Sequence, residues 1–491
     1  MATSASKLVN QSRQKDSLTE NGAVTNSTTL SGLLDLFFIA GSARKLSDTE
    51  IWRMISSAWV EDALITTKLI FWAGDIRGGA GERRFLKVEL DWLYKNAKDT
   101  FYANLHLIKH YNRWDILFNY PEDSKVMDYI YENYKAGDAL LCKWLPRPNR
   151  DISDKWKKFL ATFKNKYKIS AKDYRKHLSK NTKVVETSMC NKEWGKINYE
   201  HVPSVAMKKY RKAFYRNDEA RFAQYIEDVK SGTKKINASA IFPTDIIKEL
   251  MQYHRGSDRS TFDVPQTVQN AINVQWSALP DYLKDSTESI LPVCDCSGSM
   301  YPNAIVVALA MTLYISERNN SIFKDAFITF STAPSMNYLK GNVVQRINQL
   351  IQSGWGYSTN VLSVFELILD TAIKNSLSQE DLPSKVLLLS DMEFNSRDIV
   401  AEEDADTVNN TIKQMFLEKG YKAPEIVYWN IESRSTNNFP VSYNDSGVGM
   451  VSGQSPSILK AVLSNEISPM KIMESALNVE RYAQVKLNVE D

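Results

Sequence analysis

The stretch "LPVCDCSGSM" (291–300) admits two opposed chemistries. Cys294 and Cys296 flank an aspartate and suggest a thiol site. Asp295, Ser297 and Ser299 stand at two-residue spacing and suggest an oxygen site, with Gly298 free to make a tight turn between the hydroxyls. The apolar run "SILPVCDC" (289–296) has the length and composition of a buried strand, which puts Asp295 at its carboxyl end. Three similar runs follow: "AFITFS" (326–331), "KVLLLSD" (385–391) and "EIVYWNI" (425–431). Amphipathic segments at 303–318, 342–352, 361–375 and 404–420 lie between them. Strands alternating with helices predict an α/β domain over 289–491, built on a largely parallel, doubly wound sheet.

Ligands of such sheets bind beyond the carboxyl ends of the strands. Asp295 and Asp391 end two predicted strands and are expected to converge there, and "GYSTN" (356–360) offers Thr359 just before a helix. Carboxylates and hydroxyls without imidazole or thiolate suit a hard divalent cation, Mg²⁺ first, with Mn²⁺ or Ca²⁺ as alternatives. An open coordination position would accept a carboxylate from an acidic protein partner. A structural zinc site needs four ligands, yet Cys142, Cys190 and all five histidines precede residue 255. On these residues the segment resembles a von Willebrand factor A domain with its metal-ion-dependent adhesion site. The resemblance implies metal ligation by Asp295, Ser297, Ser299, Thr359 and Asp391.

Working back toward the N-terminus, the grammar changes. Residues 256–288 mix Gly, Ser, Asp and Pro and read as a connector with some helix. Before it, from 30 to about 255, apolar residues recur at three- and four-residue spacing, as in 48–62, 63–75, 83–97 and 219–232. This predicts an all-α stack of antiparallel helix pairs, as in solenoids. Residues 1–29 are polar, lack the apolar core of a signal peptide, and are expected to form a flexible arm. No run approaches the ~18 apolar residues of a spanning helix, and four cysteines in 491 residues form no disulfide framework, so a cytoplasmic protein without membrane contact is expected.

The formal charge of +3 conceals a division: residues 1–289 carry 46 Lys+Arg against 35 Asp+Glu, and residues 290–491 carry 15 against 23. Residues 151–216 alone hold 18 against 6, the footprint of a polyanion partner. Within that block, lysines are interleaved with nine aromatics from Trp156 to Phe214, and a helix over 202–216 would place Lys208, Arg211, Lys212 and Tyr215 on one face with Val205, Tyr210 and Phe214 inward. Candidate contacts for such a polyanion are Lys176, His201, Lys208, Arg211, Lys212, Tyr215 and Arg216.

"GDIRGGAGERRFL" (74–86) has two glycines at phosphate-loop separation, but Ala80 and Gly81 stand where Lys and Ser or Thr belong, so it reads as a glycine corner between helices. Together with 18–38, 104–117, 143–148 and 190–214, it resembles an uncharacterised TROVE-like family of cellular and viral genomes that pairs a helical module with an A domain. The plan is similar to that of the Ro ribonucleoprotein. The resemblance implies a ring or horseshoe of HEAT-like helical repeats closed by the A domain. It also implies binding of small structured RNA on a basic outer surface and of single-stranded RNA ends through the hole.

Catalysis is not expected. Histidine is absent after His254, leaving a serine or cysteine nucleophile in the A domain without an imidazole base. Asp391 and Glu393 beside one cation would still lack a general base for phosphodiester hydrolysis. The expected function is an RNA-binding scaffold or chaperone with a cation docking site. The alternative is a cation-dependent protein adaptor, for example for a MoxR-like AAA+ ATPase. The residues leave open whether the chain is a monomer or an oligomer.

Overall fold

The computed structural model describes residues 17–148, 151–182, 184–231, 233–234, 241–255, 261–262, 264–330, 334–353, 360–395, 408–463 and 467–488. Thr359, Gly232 at the end of the expected helix 219–232, and the expected helix start at 404–407 lie outside these residues.

Six strands form the principal sheet: β1 (Ile290–Cys294), β2 (Ala326–Thr329), β3 (Met336–Tyr338), β4 (Lys385–Ser390), β5 (Glu425–Asn430) and β6 (Val448–Ser452). Their order is β6-β5-β4-β1-β2-β3, parallel except for β3, which pairs antiparallel with β2. Val293 lies between Ile328 on one side and Leu388 on the other. Every residue of β1, β4 and β6 is buried, as expected of strands covered on both faces. The helix Ala304–Arg318 is buried from Ala304 through Ser316, so it is apolar all round because it is enclosed. The order places the topological switch point between β1 and β4.

Two strands escape the periodicity. β3 is three residues long on the sheet edge, and β6, "VGMVS", carries Gly449 inside a glycine- and serine-rich neighbourhood that reads as a turn. Close packing requires that glycine, because a Cβ there would come within 2.3 Å of Ile472 Cδ1.

Packing divides the chain differently from the sequence pattern. One compact unit joins residues up to Glu89 with Ile241–Gln484, and the other joins Leu90–Ala240 with Val485–Asp491. The helices Gly32–Ala40, Asp48–Glu61 and Ala63–Gly74 thus belong with the sheet instead of with a helical domain beginning at residue 30. Their apolar faces are spent on it. The first of them ends at Gly41, whose N–H donates to Ser452 Oγ at 2.9 Å, and Phe38 packs on Phe439 with ring centroids 5.9 Å apart.

The N-terminal segment is also corrected: residues 17–29 are not a loose arm. Ser17–Leu18 pairs with Val24–Thr25 as a small hairpin, and bridges Gly22↔Asn395 and Asn26↔Phe439 tie it to the sheet unit. Its threonines and asparagines supply the anchoring. Thr19 Oγ1 donates to the Phe394 carbonyl at 2.6 Å, and Thr25 Oγ1 to that of Phe439 at 2.8 Å.

The glycine corner is a packing device. The amides of Gly79, Ala80 and Glu82 donate to the carbonyls of Asp75, Trp72 and Ala73, so none is directed at an anion. A Cβ on Gly79 would fall 1.9 Å from the Trp72 carbonyl, and Gly81 has φ +74°.

In the other unit the helices Ser124–Lys135, Asp154–Lys166, Ala171–Asn181, Ser204–Asn217 and Glu219–Lys230 enclose an aromatic core. Phe118 stacks on Phe159 with centroids 4.5 Å apart, and Tyr131 on Tyr167 at 3.8 Å. Such cross-helix ring pairs hold short helices whose own propensity is marginal.

Glu89, in the helix Arg83–Asn96, is fully buried and neither carboxylate oxygen has a hydrogen-bond partner among the described residues. Burial holds its carboxyl well above the ordinary 4.5. An acid with a raised folded-state pKa binds more protons folded than unfolded, so its contribution is intact below about pH 4.5 and is lost as pH rises through the folded value. Glu89→Gln is expected to raise stability at neutral pH by about 1–3 kcal/mol. It should also flatten the decline above pH 5, as read by urea unfolding at several pH values.

Candidate cation site and basic face

At the switch point, β1 delivers Asp295 and β4 delivers Ser390 and Asp391. Register places Cys294 opposite Leu389, so the next residues along each strand meet just past the sheet. Asp295 is fully buried. Its Oδ2 accepts from Ser390 Oγ at 2.5 Å and its Oδ1 from the Ser297 amide at 2.9 Å. Ser297 Oγ lies 2.9 Å from Ser299 Oγ, and the Ser299 hydroxyl also acts on the Asp391 carboxylate. Four of the five expected ligands are therefore gathered, while Thr359 lies outside the described residues.

The carboxylates are unfavourable as they stand. Burial, then the neighbouring Asp391, pushes Asp295 up to about 6. Burial also raises Asp391, although the Arg434 guanidinium opposes the shift, and burial raises Glu393 beside it. Among the described residues Asp391 Oδ2 accepts no hydrogen bond, and Arg434 Nε stands 3.3 Å from it. Two buried acids with adjacent hydroxyls and an unsatisfied carboxylate oxygen form a donor set suited to a hard cation. Among the described residues no group of three His, Cys, Asp or Glu side chains is placed to hold a metal ion, so ligation here would rest on two acids and their neighbouring hydroxyls. The thiol reading fails on its surroundings. Cys294 and Cys296 are buried with their sulfurs 3.7 Å apart, and burial holds the Cys296 thiol well above its usual range, against metal ligation.

Arg434, in the loop after β5, is the feature that residue patterns missed. Its guanidinium faces Asp391, donates to the Ser299 carbonyl, and holds Glu20 Oε2 of the N-terminal hairpin 3.2 Å from Nη1. The same hairpin is fixed beside the site, because Glu20 N donates to Glu393 Oε2 and Asn21 Nδ2 to the Glu393 carbonyl, each at 2.7 Å. Nothing in "IESRSTN" (431–437) marks an arginine for this place; only the fold brings it there.

The basic block lies in the other unit. That unit carries 32 Lys+Arg against 20 Asp+Glu, net +12, whereas the sheet unit carries 29 against 38, net −9. On the helix Ala171–Asn181, Tyr174 and Leu178 are buried while Lys172, Arg175, Lys176 and Lys180 are exposed. His201 is exposed at the end of the short turn Tyr199–His201.

The helix Ser204–Asn217 is rotated from expectation. Met207, Arg211 and Phe214 are buried and Tyr210 half-buried, while Val205, at 55% exposure, faces outward. The exposed stripe is Val205, Lys209, Lys212 and Arg216, each three or four residues after the last. Arg211 is thus removed from the candidate contacts and Lys209, overlooked before, takes its place. Lys208 and Tyr215 are half-buried, Tyr215 being set edge-on against Phe222 at 4.7 Å. The aromatics between 151 and 216 are mainly core. Phe159, Phe163, Tyr174, Tyr199 and Phe214 are buried, and Trp156, Tyr167, Trp194 and Tyr210 half-buried.

Both parts of the chain match models of families that carry no assigned role. Residues 19–119 and 146–288 match a domain of unknown function, DUF2828, and residues 289–488 match a second, DUF7788. One match ends at residue 288 and the other begins at 289, and neither description names a TROVE or a von Willebrand factor A domain. A relative in Acanthamoeba polyphaga mimivirus, uncharacterized protein L728, is 25% identical over 93% of this chain and 86% of its own length. The crystal structure of the Deinococcus radiodurans Ro (RSR) protein aligns over 87% of this chain and 90% of that one, at 14% identity and a TM-score of 0.33. No helix among the described residues is long and apolar enough to cross a membrane.

Proposed function

We propose that the chain is an RNA-binding scaffold. Its helical unit engages small structured RNA through two basic helix faces, and its sheet unit docks an acidic partner through a divalent cation. The observation that carries the RNA reading is the charge division: net +12 and net −9 fall on separately packed units, and the positive one displays its cations in stripes on Ala171–Asn181 and Ser204–Asn217. Exposed lysines and arginines neutralise phosphates and release counterions, so affinity should fall steeply with salt. With the aromatics largely in the core, phosphate contacts rather than base stacking would dominate.

The test is fluorescence anisotropy of a labelled RNA hairpin across a salt series. Lys209→Glu/Lys212→Glu/Arg216→Glu and Lys172→Glu/Lys176→Glu/Lys180→Glu are each expected to weaken binding by roughly 10-fold or more and to lower the salt slope by about 2 to 3. Unchanged affinity in both variants contradicts the reading.

The second activity rests on the unsatisfied Asp391 oxygen among Asp295, Ser297 and Ser299. These residues would hold Mg²⁺ or a similar cation. When bound, it would offer an open position to a partner's carboxylate. The protein's own contribution is to hold the two acids dry and fixed against a rigid sheet edge. Docking is favoured over hydrolysis because no histidine follows His254 in the sequence to serve as an imidazole base.

A further inference from the structure

We propose that Arg434 is the chain's own occupant of the cation position, and that Glu20, held by the same guanidinium, is the carboxylate this site docks in cis. The inference rests on the cation reading given above.

Three contacts converge on one side chain. Arg434 Nε stands 3.3 Å from Asp391 Oδ2, the oxygen without a hydrogen bond. The guanidinium also donates to the Ser299 carbonyl, so it straddles two of the residues expected to surround the metal. Its Nη1 lies 3.2 Å from Glu20 Oε2. A positive charge is therefore bound between site acids and an incoming carboxylate, the electrostatic arrangement a divalent cation would create there. Guanidinium and cation cannot share that position, since like charges so close repel strongly where solvent is scarce. Metal entry must move Arg434 aside.

Glu20 is suited to remain. Its hairpin has contacts beside the Arg434 pair, through Glu20 N and Asn21 Nδ2 to Glu393 and through Thr19 Oγ1 to Phe394, which keep it near the site while the Arg434 pair adds to its protection. Its carboxylate is 61% exposed and unburdened by other partners among the described residues, so it can pass from the guanidinium to the cation. The hairpin thereby fills the face that a partner in trans would need, and an acidic partner must compete with Glu20. Arg434 and Glu20 come from positions more than four hundred residues apart in the chain, so no local sequence pattern links them.

The experiment uses the full chain and two readouts. Mn²⁺ binding is followed by electron paramagnetic resonance, and amide exchange of the peptide covering 17–26 by mass spectrometry with and without Mg²⁺. Arg434→Gln removes the competing charge and is expected to tighten Mn²⁺ binding by about 10-fold or more. Arg434→Lys keeps the charge and should bind as the wild type does. In Arg434→Gln the hairpin should exchange faster without metal and regain protection with Mg²⁺. In Arg434→Gln/Glu20→Gln it should exchange fast in both conditions.

Equal Mn²⁺ affinity in wild type and Arg434→Gln overturns the role given to Arg434. Mg²⁺ protection that persists in the double variant overturns the role given to Glu20. If neither wild type nor Arg434→Gln binds Mn²⁺, the cation reading falls and this inference falls with it.

Discussion

Asp295→Asn is expected to lose divalent cation binding by about 100-fold or more while keeping its fold. The reasoning starts from the strand. Asp295 is fully buried at the end of β1, and its two oxygens accept from Ser390 Oγ and the Ser297 amide. An asparagine keeps the shape and can keep one acceptor contact, but it contributes no charge to a hard cation. In chelator the variant should unfold at the same temperature as the wild type or higher, because a buried acid beside a second buried acid has been removed. Mn²⁺ titration with a parallel thermal melt checks both halves. Retained Mn²⁺ affinity would remove Asp295 from the site, and collapse of the fold would show it to be mainly structural.

At the opposite, amino end of the strands, Lys385→Met is expected to cost about 3 kcal/mol in urea unfolding. Lys385 begins β4, is 2% exposed, and pairs with Glu425 at 2.8 Å and Glu288 at 3.1 Å. Methionine fits the stem but leaves two carboxylates facing each other without their cation. The estimate sits at the low end for a broken buried pair because both glutamates keep some solvent contact. Adding Glu288→Gln and Glu425→Gln to Lys385→Met should recover most of the loss, since the cost lies in the stranded charges. A loss of similar size in the triple variant would instead assign the effect to packing. Mn²⁺ affinity under native conditions should be unchanged, because the ion pair and the cation site lie at opposite ends of the sheet.

Period and strand ends made half of this architecture readable. "SILPVCDC" and "KVLLLSD" each end in an acid, and parallel neighbours bring their carboxyl ends to one edge, so Asp295 and Asp391 could be paired before any coordinates. Helix existence was equally legible, with observed bounds such as Asp48–Glu61 and Arg83–Asn96 within a residue of the pattern. Packing allegiance was not. The helices of residues 32–74 look like any amphipathic helices, and only their contacts show that they cover the sheet. Helix phase also misled. The pattern groups Arg211 with Lys208, Lys212 and Tyr215 on an outward face, yet Met207 and Phe214 on its own side carry it inward. Arg434 and Glu20 had no local signature, being joined by tertiary structure alone.

The most direct test of the central claim, that the basic unit serves a polyanion, is the RNA that co-purifies with the protein at moderate salt. It should be quantified and sequenced beside Lys209→Glu/Lys212→Glu/Arg216→Glu prepared in the same way. The account predicts a defined set of structured RNAs on the wild type, largely absent from the variant while the variant's thermal unfolding is unchanged. Equal RNA content on both proteins, or none on either, would contradict it.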